Sequence, residues 1–160
     1  MNREIEFRGK CLYEGVKGQW KYGSLINCNS GRAYILETGE SANESIRVGM
    51  EGCLAIFTFE VDPKTVGQYT GKKDKNGMKI FEGDIAKANY NIYHHAQLHF
   101  PARYEEFKDA VCEVYYDHFQ SAYMLKNPCS LFAGRLMFTH CDIEVIGNVH
   151  DNPELLEEIK

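Results

Sequence analysis

Three histidines, His94, His95 and His99, fall within six residues of one another. His95 and His99 stand four apart, a spacing that puts two imidazoles on one helix face and suits a metal ion. No Glu lies between them to serve as a base, and Pro101 follows closely. A surface loop rich in His and Tyr is the plainer reading. His118, His140 and Cys141 can join such a site only through the fold. A second cluster is cationic: Lys72, Lys73, Lys75 and Lys79 surround the aromatics Tyr69 and Phe81. Lysines beside rings can track a phosphate backbone and stack unpaired bases. Asp74, Glu82 and Asp84 dilute that charge, so a solvated turn competes with a nucleic-acid contact.

Other motifs fail position by position. Gly67-Gln-Tyr-Thr-Gly71-Lys72 is one residue short of a phosphate loop, and Lys73 stands where a hydroxyl should hold Mg²⁺. Asp74-Lys-Asn76-Gly77 resembles the middle of a calcium loop. That alignment puts Lys72 at the first ligand position and Gly83 where a bidentate Glu belongs. Neither G-x-S-x-G nor S-x-x-K occurs. Glu105, Glu106 and Asp109 would share a helical face that solvation explains. The sequence assigns no catalytic, cofactor-binding or metal-binding residue and implies no cofactor.

The elements that must position these groups read as strands. At 44% hydrophobic residues with ten Tyr and nine Phe, the 160-residue chain can bury a core. No apolar run approaches the roughly 18 residues of a membrane span. The acidic N-terminus lacks the core of a signal peptide, so a cytoplasmic protein is expected. None of the six cysteines forms a CxxC pair, and most have apolar neighbours, which predicts buried thiols rather than disulfides. The net charge of −5 argues against a general nucleic-acid binder. Residues 1–80 hold 12 Lys and Arg against 10 Asp and Glu; residues 81–160 hold 6 against 13. Uneven solvation explains this, as do complementary faces in an oligomer.

Alternation over Ile5–Tyr13, with Ile5, Phe7, Cys11 and Tyr13 on the apolar face and Glu4, Glu6, Arg8 and Lys10 on the other, and over Trp20–Cys28 predicts an antiparallel pair, and Ala33–Leu36 a further strand. Cys53–Phe59 is apolar on both faces and predicts a buried strand. Thr65–Thr70 and Met78–Phe81 flank Asn76-Gly77, whose tolerance of positive φ suits a tight hairpin. Ile85–Tyr90, Val111–Tyr116, Ala122–Lys126 and Ile143–Val149 complete the strands. Residues 89–110 lack alternation and read as an insertion, with a helical turn or two in Ala102–Asp109. Asn152 as cap, Pro153 and Glu154 open a terminal helix.

Arg3-Glu-Ile-Glu-Phe-Arg8, Lys21-Tyr-Gly-Ser-Leu25, Val61–Gly71, Asp74–Gly77, Ile80–Ile85, Ile143–Asn148 and Asn152–Leu156 follow one another in an order that resembles the YopX family of phage and prophage proteins. The chain departs from that pattern at its His-rich residues 89–110 and at Lys72. The resemblance implies a mainly β protein with a small SH3-like barrel in its C-terminal part. It implies no activity and supplies no catalytic residues.

The expected organisation is an N-terminal β subdomain at 1–66, an SH3-like barrel at 67–150 with an insertion at about 89–110, and a helical tail at 151–160. The expected function is a non-enzymatic binding or assembly module forming homo-oligomers, with a phage or host protein as further partner and no membrane. Single-stranded nucleic-acid binding through Lys72, Lys73, Lys75, Lys79 and Tyr69 is the alternative. A metal-dependent hydrolase on His94, His95 and His99 is the third.

Overall fold

The computed structural model describes residues 4–37, 47–48, 54–55, 58–94, 103–127, 135–136 and 142–157. The chain divides into two compact units, Met1–Gly71 and Lys72–Lys160. The described residues are mainly β, in two larger antiparallel sheets, a two-residue pair and one short helix.

Unit 1 is built from β1 (Phe7–Lys10), β2 (Trp20–Asn27), β3 (Ala33–Glu37), β6 (Thr58–Val61) and the first part of β7 (Gly67–Lys73), ordered β6-β3-β2-β1-β7. Two further short strands, β4 (Arg47–Val48) and β5 (Leu54–Ala55), pair with each other. Of the predicted buried strand, Cys53, Ile56 and Phe57 lie outside the described residues. The register places Leu25 opposite Ile35 and Ala33 opposite Val61. These side chains share one face and, with Phe7 and Val66, form the core of the unit. Although not neighbours in the sheet order, β1 and β6 meet at their ends. Cys11 bridges Val61, the Leu12 N–H donates to the Glu60 carbonyl at 2.8 Å, and the Asp62 N–H to that of Lys10 at 2.9 Å.

The close approach explains Gly9, where a Cβ would stand 2.9 Å from Val61 Cγ2. A 3-10 turn, Pro63–Thr65, links β6 to β7, with the Asp62 carboxylate accepting from the Lys64 N–H. Alternation in β1 predicts Arg8 in solvent, but Arg8 is only 6% exposed. Its guanidinium lies over the Trp20 ring, 4.7 Å from the centroid, and the ring supplies a cation–π surface that compensates burial. Ile5 and Tyr13, predicted on the apolar face, are instead exposed.

Unit 2 holds β8 (Lys79–Phe81), β9 (Asp84–His94), β10 (Arg103–Asp117), β11 (Ala122–Lys126), β12 (Arg135–Leu136) and β13 (Asp142–Asn148). Its larger sheet has the order β12-β11-β10-β9-β13. That order corrects the expectation of a closed barrel here: among the described residues the sheet is open, with β12 and β13 at its edges. Ile80, Ala86, Ala88, Cys112, Val114, Leu125 and Ile143 anchor its core. The expected helical turn in Ala102–Asp109 is also corrected. Residues 103–109 are strand, not helix, and pair with β9 from His94 opposite Arg103 onward. A bulge hides this from the sequence. The register shifts between Phe107 and Ala110, and Asp109 takes φ +49°, its N–H donating to Asn89 Oδ1 at 2.7 Å.

The terminal helix α1 (Glu154–Glu157) follows a turn held by Asn148, whose Oδ1 accepts from the His150 and Asp151 N–H groups. Cys11 and Cys112 are buried free thiols as expected, whereas Cys28 sits exposed in a turn. The other three cysteines lie outside the described residues. No helix among the described residues is long and apolar enough to cross a membrane.

Candidate functional site

The lysine hairpin is formed by the end of β7, the turn after it and β8. Its turn lies at the expected Asn76-Gly77. Asp74 and Met78 face each other, with the Asp74 N–H donating to the Met78 carbonyl at 2.8 Å. Three residues lie between them, and Gly77 takes φ +84°. That is a three-residue loop closed by a left-handed glycine.

Asp74 organises the turn. Its Oδ1 accepts from the N–H groups of Asn76 at 2.8 Å and Met78 at 2.9 Å. Its Oδ2 accepts from the Val145 N–H on β13 at 3.1 Å. Burial pushes the carboxyl upward, but the backbone donors outweigh it and the net shift is downward. The neighbouring Lys75 N–H donates to the Ile143 carbonyl at 3.0 Å, so the turn is stitched to β13 at two points. Lys75 Nζ lies 2.7 Å from Glu144 Oε2. This hydrogen bond raises the Lys75 pKa and lowers that of Glu144, the two shifts agreeing in sign. Both side chains are well exposed, so the pair adds little to stability.

The predicted contact residues are not presented together. Lys72, Lys73 and Lys75 are exposed and Lys79 is half-buried. Tyr69 is only 4% exposed and Phe81 3%, so neither ring offers a face for a base to stack on. Asp84, expected in the turn, is buried and accepts from the Phe81 N–H at 2.7 Å. What stays on the surface is charge without rings, and the Lys75 charge faces Glu144.

His94 is the last residue of β9; His95, His99, His140 and Cys141 lie outside the described residues. His118 is exposed, with its ring edge-on to Tyr116 at 5.1 Å. Among the described residues no group of three or more His, Cys, Asp or Glu is placed to hold a metal ion.

Phe119 has no counterpart in the sequence reading. It is 98% exposed at the turn between β10 and β11. Asp117 Oδ1 accepts from the Phe119 and Gln120 N–H groups at 2.9 Å each, and Ser121 takes φ +51°. Tyr116, beneath the turn, packs edge-on against Tyr123. A well-defined turn thus holds a large apolar side chain in water. The Asp-x-Phe pattern marks the turn but does not say which way the ring points.

A family model described as YopX protein matches residues 13–157. The match spans most of the chain, and the protein belongs to the YopX family. Among solved structures, the crystal structure of protein EF1440 from Enterococcus faecalis is similar at 21% identity and a TM-score of 0.52, over 97% of this chain and 99% of that one. At that identity the likeness shows the fold alone. No curated protein matches the chain.

Proposed function

We propose that this chain is a non-enzymatic binding or assembly module of phage or prophage origin, working in the bacterial cytoplasm as a homo-oligomer. Apolar surface left in water carries the reading. Phe119, Tyr13, Ile5 and Met78 are exposed by 98%, 70%, 64% and 61%, and Tyr22 and Ile26 by 42% each. Scattered apolar residues are ordinary on a monomer; a fully exposed Phe on a turn fixed by side-chain hydrogen bonds is better explained by a partner. The shifted titrating groups support a structural reading too. Asp74 owes its shift to the backbone donors that hold the hairpin, Lys75 and Glu144 owe theirs to each other, and Tyr115 owes its upward shift to burial first and then to Asp117 and Glu113. The small-barrel topology expected of the family suits unit 1 better than unit 2. The supports are the order β6-β3-β2-β1-β7, the 3-10 turn before β7 and the Cys11–Val61 bridge.

Size-exclusion chromatography with light scattering tests assembly, which predicts a mass above one chain that falls on dilution. A single-chain mass at every concentration defeats it. Exposed Lys72 and Lys73 favour the second reading, single-stranded nucleic acid held by charge alone. Anisotropy of a labelled single-stranded oligonucleotide at low salt tests that reading, and no binding there ends it.

A further inference from the structure

Asn76-Gly77 is the only Asn-Gly pair in the chain, and both residues are exposed at the tip of the hairpin. An asparagine amide is a thermolabile group, open to attack by the next backbone nitrogen. Glycine in the next position, with no Cβ, hinders that attack least.

Several contacts hold this pair out of reaction. The Gly77 nitrogen would attack, but its N–H donates to the Asp74 carbonyl at 3.0 Å. The Asn76 N–H donates to Asp74 Oδ1 at 2.8 Å, which fixes the backbone before the amide. The Asn76 side-chain amide, whose Cγ would be attacked, donates to the carboxylates of both Asp74 and Glu144. Two anions beside the loop also oppose loss of the proton that the attacking nitrogen must give up. Glu144 belongs to β13, and Asp74 is fixed there by the Val145 N–H, as the Lys75 N–H is by the Ile143 carbonyl. The protection therefore depends on the turn staying seated on β13.

The reaction product does not fit the same seat. Attack joins the Gly77 nitrogen to Asn76 Cγ, breaks the Cγ–Nδ2 bond and releases ammonia, which carries away the nitrogen's proton. Water then opens the five-membered imide at either carbonyl and leaves aspartate or isoaspartate at position 76. A donor to Asp74 and Glu144 has become a third carboxylate beside them, and like charges at such range repel. Lys75, paired with Glu144, already answers Asp109 and Asp142 as well, and Lys87 acts on Glu144 only weakly. In isoaspartate the main chain also gains a methylene, which a three-residue loop closed between Asp74 and Met78 cannot absorb without losing its register.

We propose that Asn76 is a modification site. Its amide is protected while the hairpin is seated on β13 and is lost to attack by the Gly77 nitrogen when the hairpin lifts, and the acidic product keeps the hairpin from reseating. The proposal is independent of the assembly reading above.

The test ages the full chain in mildly alkaline buffer and follows residue 76 by peptide mapping that separates asparagine, aspartate and isoaspartate. Conversion is expected to be slow in the native parent. It should be at least about tenfold faster in Asp74→Ala and in the parent held unfolded in guanidinium, because only the open turn reacts. Glu144→Ala removes a surface acceptor and should accelerate conversion less but in the same direction, which keeps the test alive if Asp74→Ala does not fold. Asn76→Gln, which would need a six-membered imide, should stay intact. Amide exchange at Val145 should be faster in the converted protein than in the unconverted one. Equal conversion rates in the native parent, Glu144→Ala and the unfolded chain would overturn the protection. Unchanged Val145 exchange after conversion would overturn the one-way release.

Discussion

Replacing Asp74 with alanine removes three acceptor contacts from one buried carboxylate. Two of the N–H donors belong to exposed residues, Asn76 and Met78, and water can take them over. The third, from half-buried Val145, ties the turn to β13. Charge-assisted hydrogen bonds contribute about 1.5–3 kcal/mol each when shielded and less when water competes. Releasing the buried charge returns part of this as hydration. The expected net loss is about 2–4 kcal/mol. With a urea dependence of about 2 kcal/mol per molar for a chain of this size, the midpoint falls by roughly 1–2 M. Far-UV circular dichroism follows the transition, because the single tryptophan, Trp20, reports unit 1.

Amide exchange at Val145 gives the local readout and should accelerate in the variant. The pH dependence has a definite sign. The folded-state pKa of Asp74 lies below its unfolded value of about 3.9, so its contribution is complete above that value. It is lost as pH falls through the folded-state pKa. A midpoint within about 0.2 M of the parent, with Val145 exchange unchanged, would show that Asp74 does not hold the hairpin.

Gly23→Ala directs a Cβ at the Leu36 carbonyl oxygen from a backbone at φ +155°, and should cost about 3 kcal/mol or more, read as a lowered thermal midpoint. Lys21→Ala breaks a half-buried pair with Glu37 at 3.0 Å and removes the ammonium from over the Phe59 ring. About 1–2 kcal/mol should be lost in urea unfolding, whereas an exposed pair would show almost none. Phe119→Ser should leave the thermal midpoint unchanged, since the ring is 98% exposed, while weakening association; a lowered midpoint without weaker association contradicts its assignment as an anchor.

Local patterns made most strands legible. The alternation in Trp20–Cys28 and the apolar run in Ala33–Leu36 correspond to β2 and β3, because each packs one face on a core. The glycine of Asn76-Gly77 marks its turn because only left-handed backbone closes that loop. Long-range features were not legible. Asp74 reaches Val145 across 71 positions, so its role looks like a turn residue's and no more. Arg8 reads as solvated because alternation cannot foresee the Trp20 ring above it. The bulge at Asp109 breaks the period of β10 and made a strand look like a helical turn. For the candidate site, the lysines were visible by type, whereas burial of Tyr69 and capture of Lys75 by Glu144 depend on packing.

The central claim is that this YopX-family chain works by association, and sedimentation equilibrium across a hundredfold range of concentration tests it most directly. The account predicts a mass of at least two chains at high concentration, falling toward one on dilution. The mass of a single chain at every concentration contradicts it.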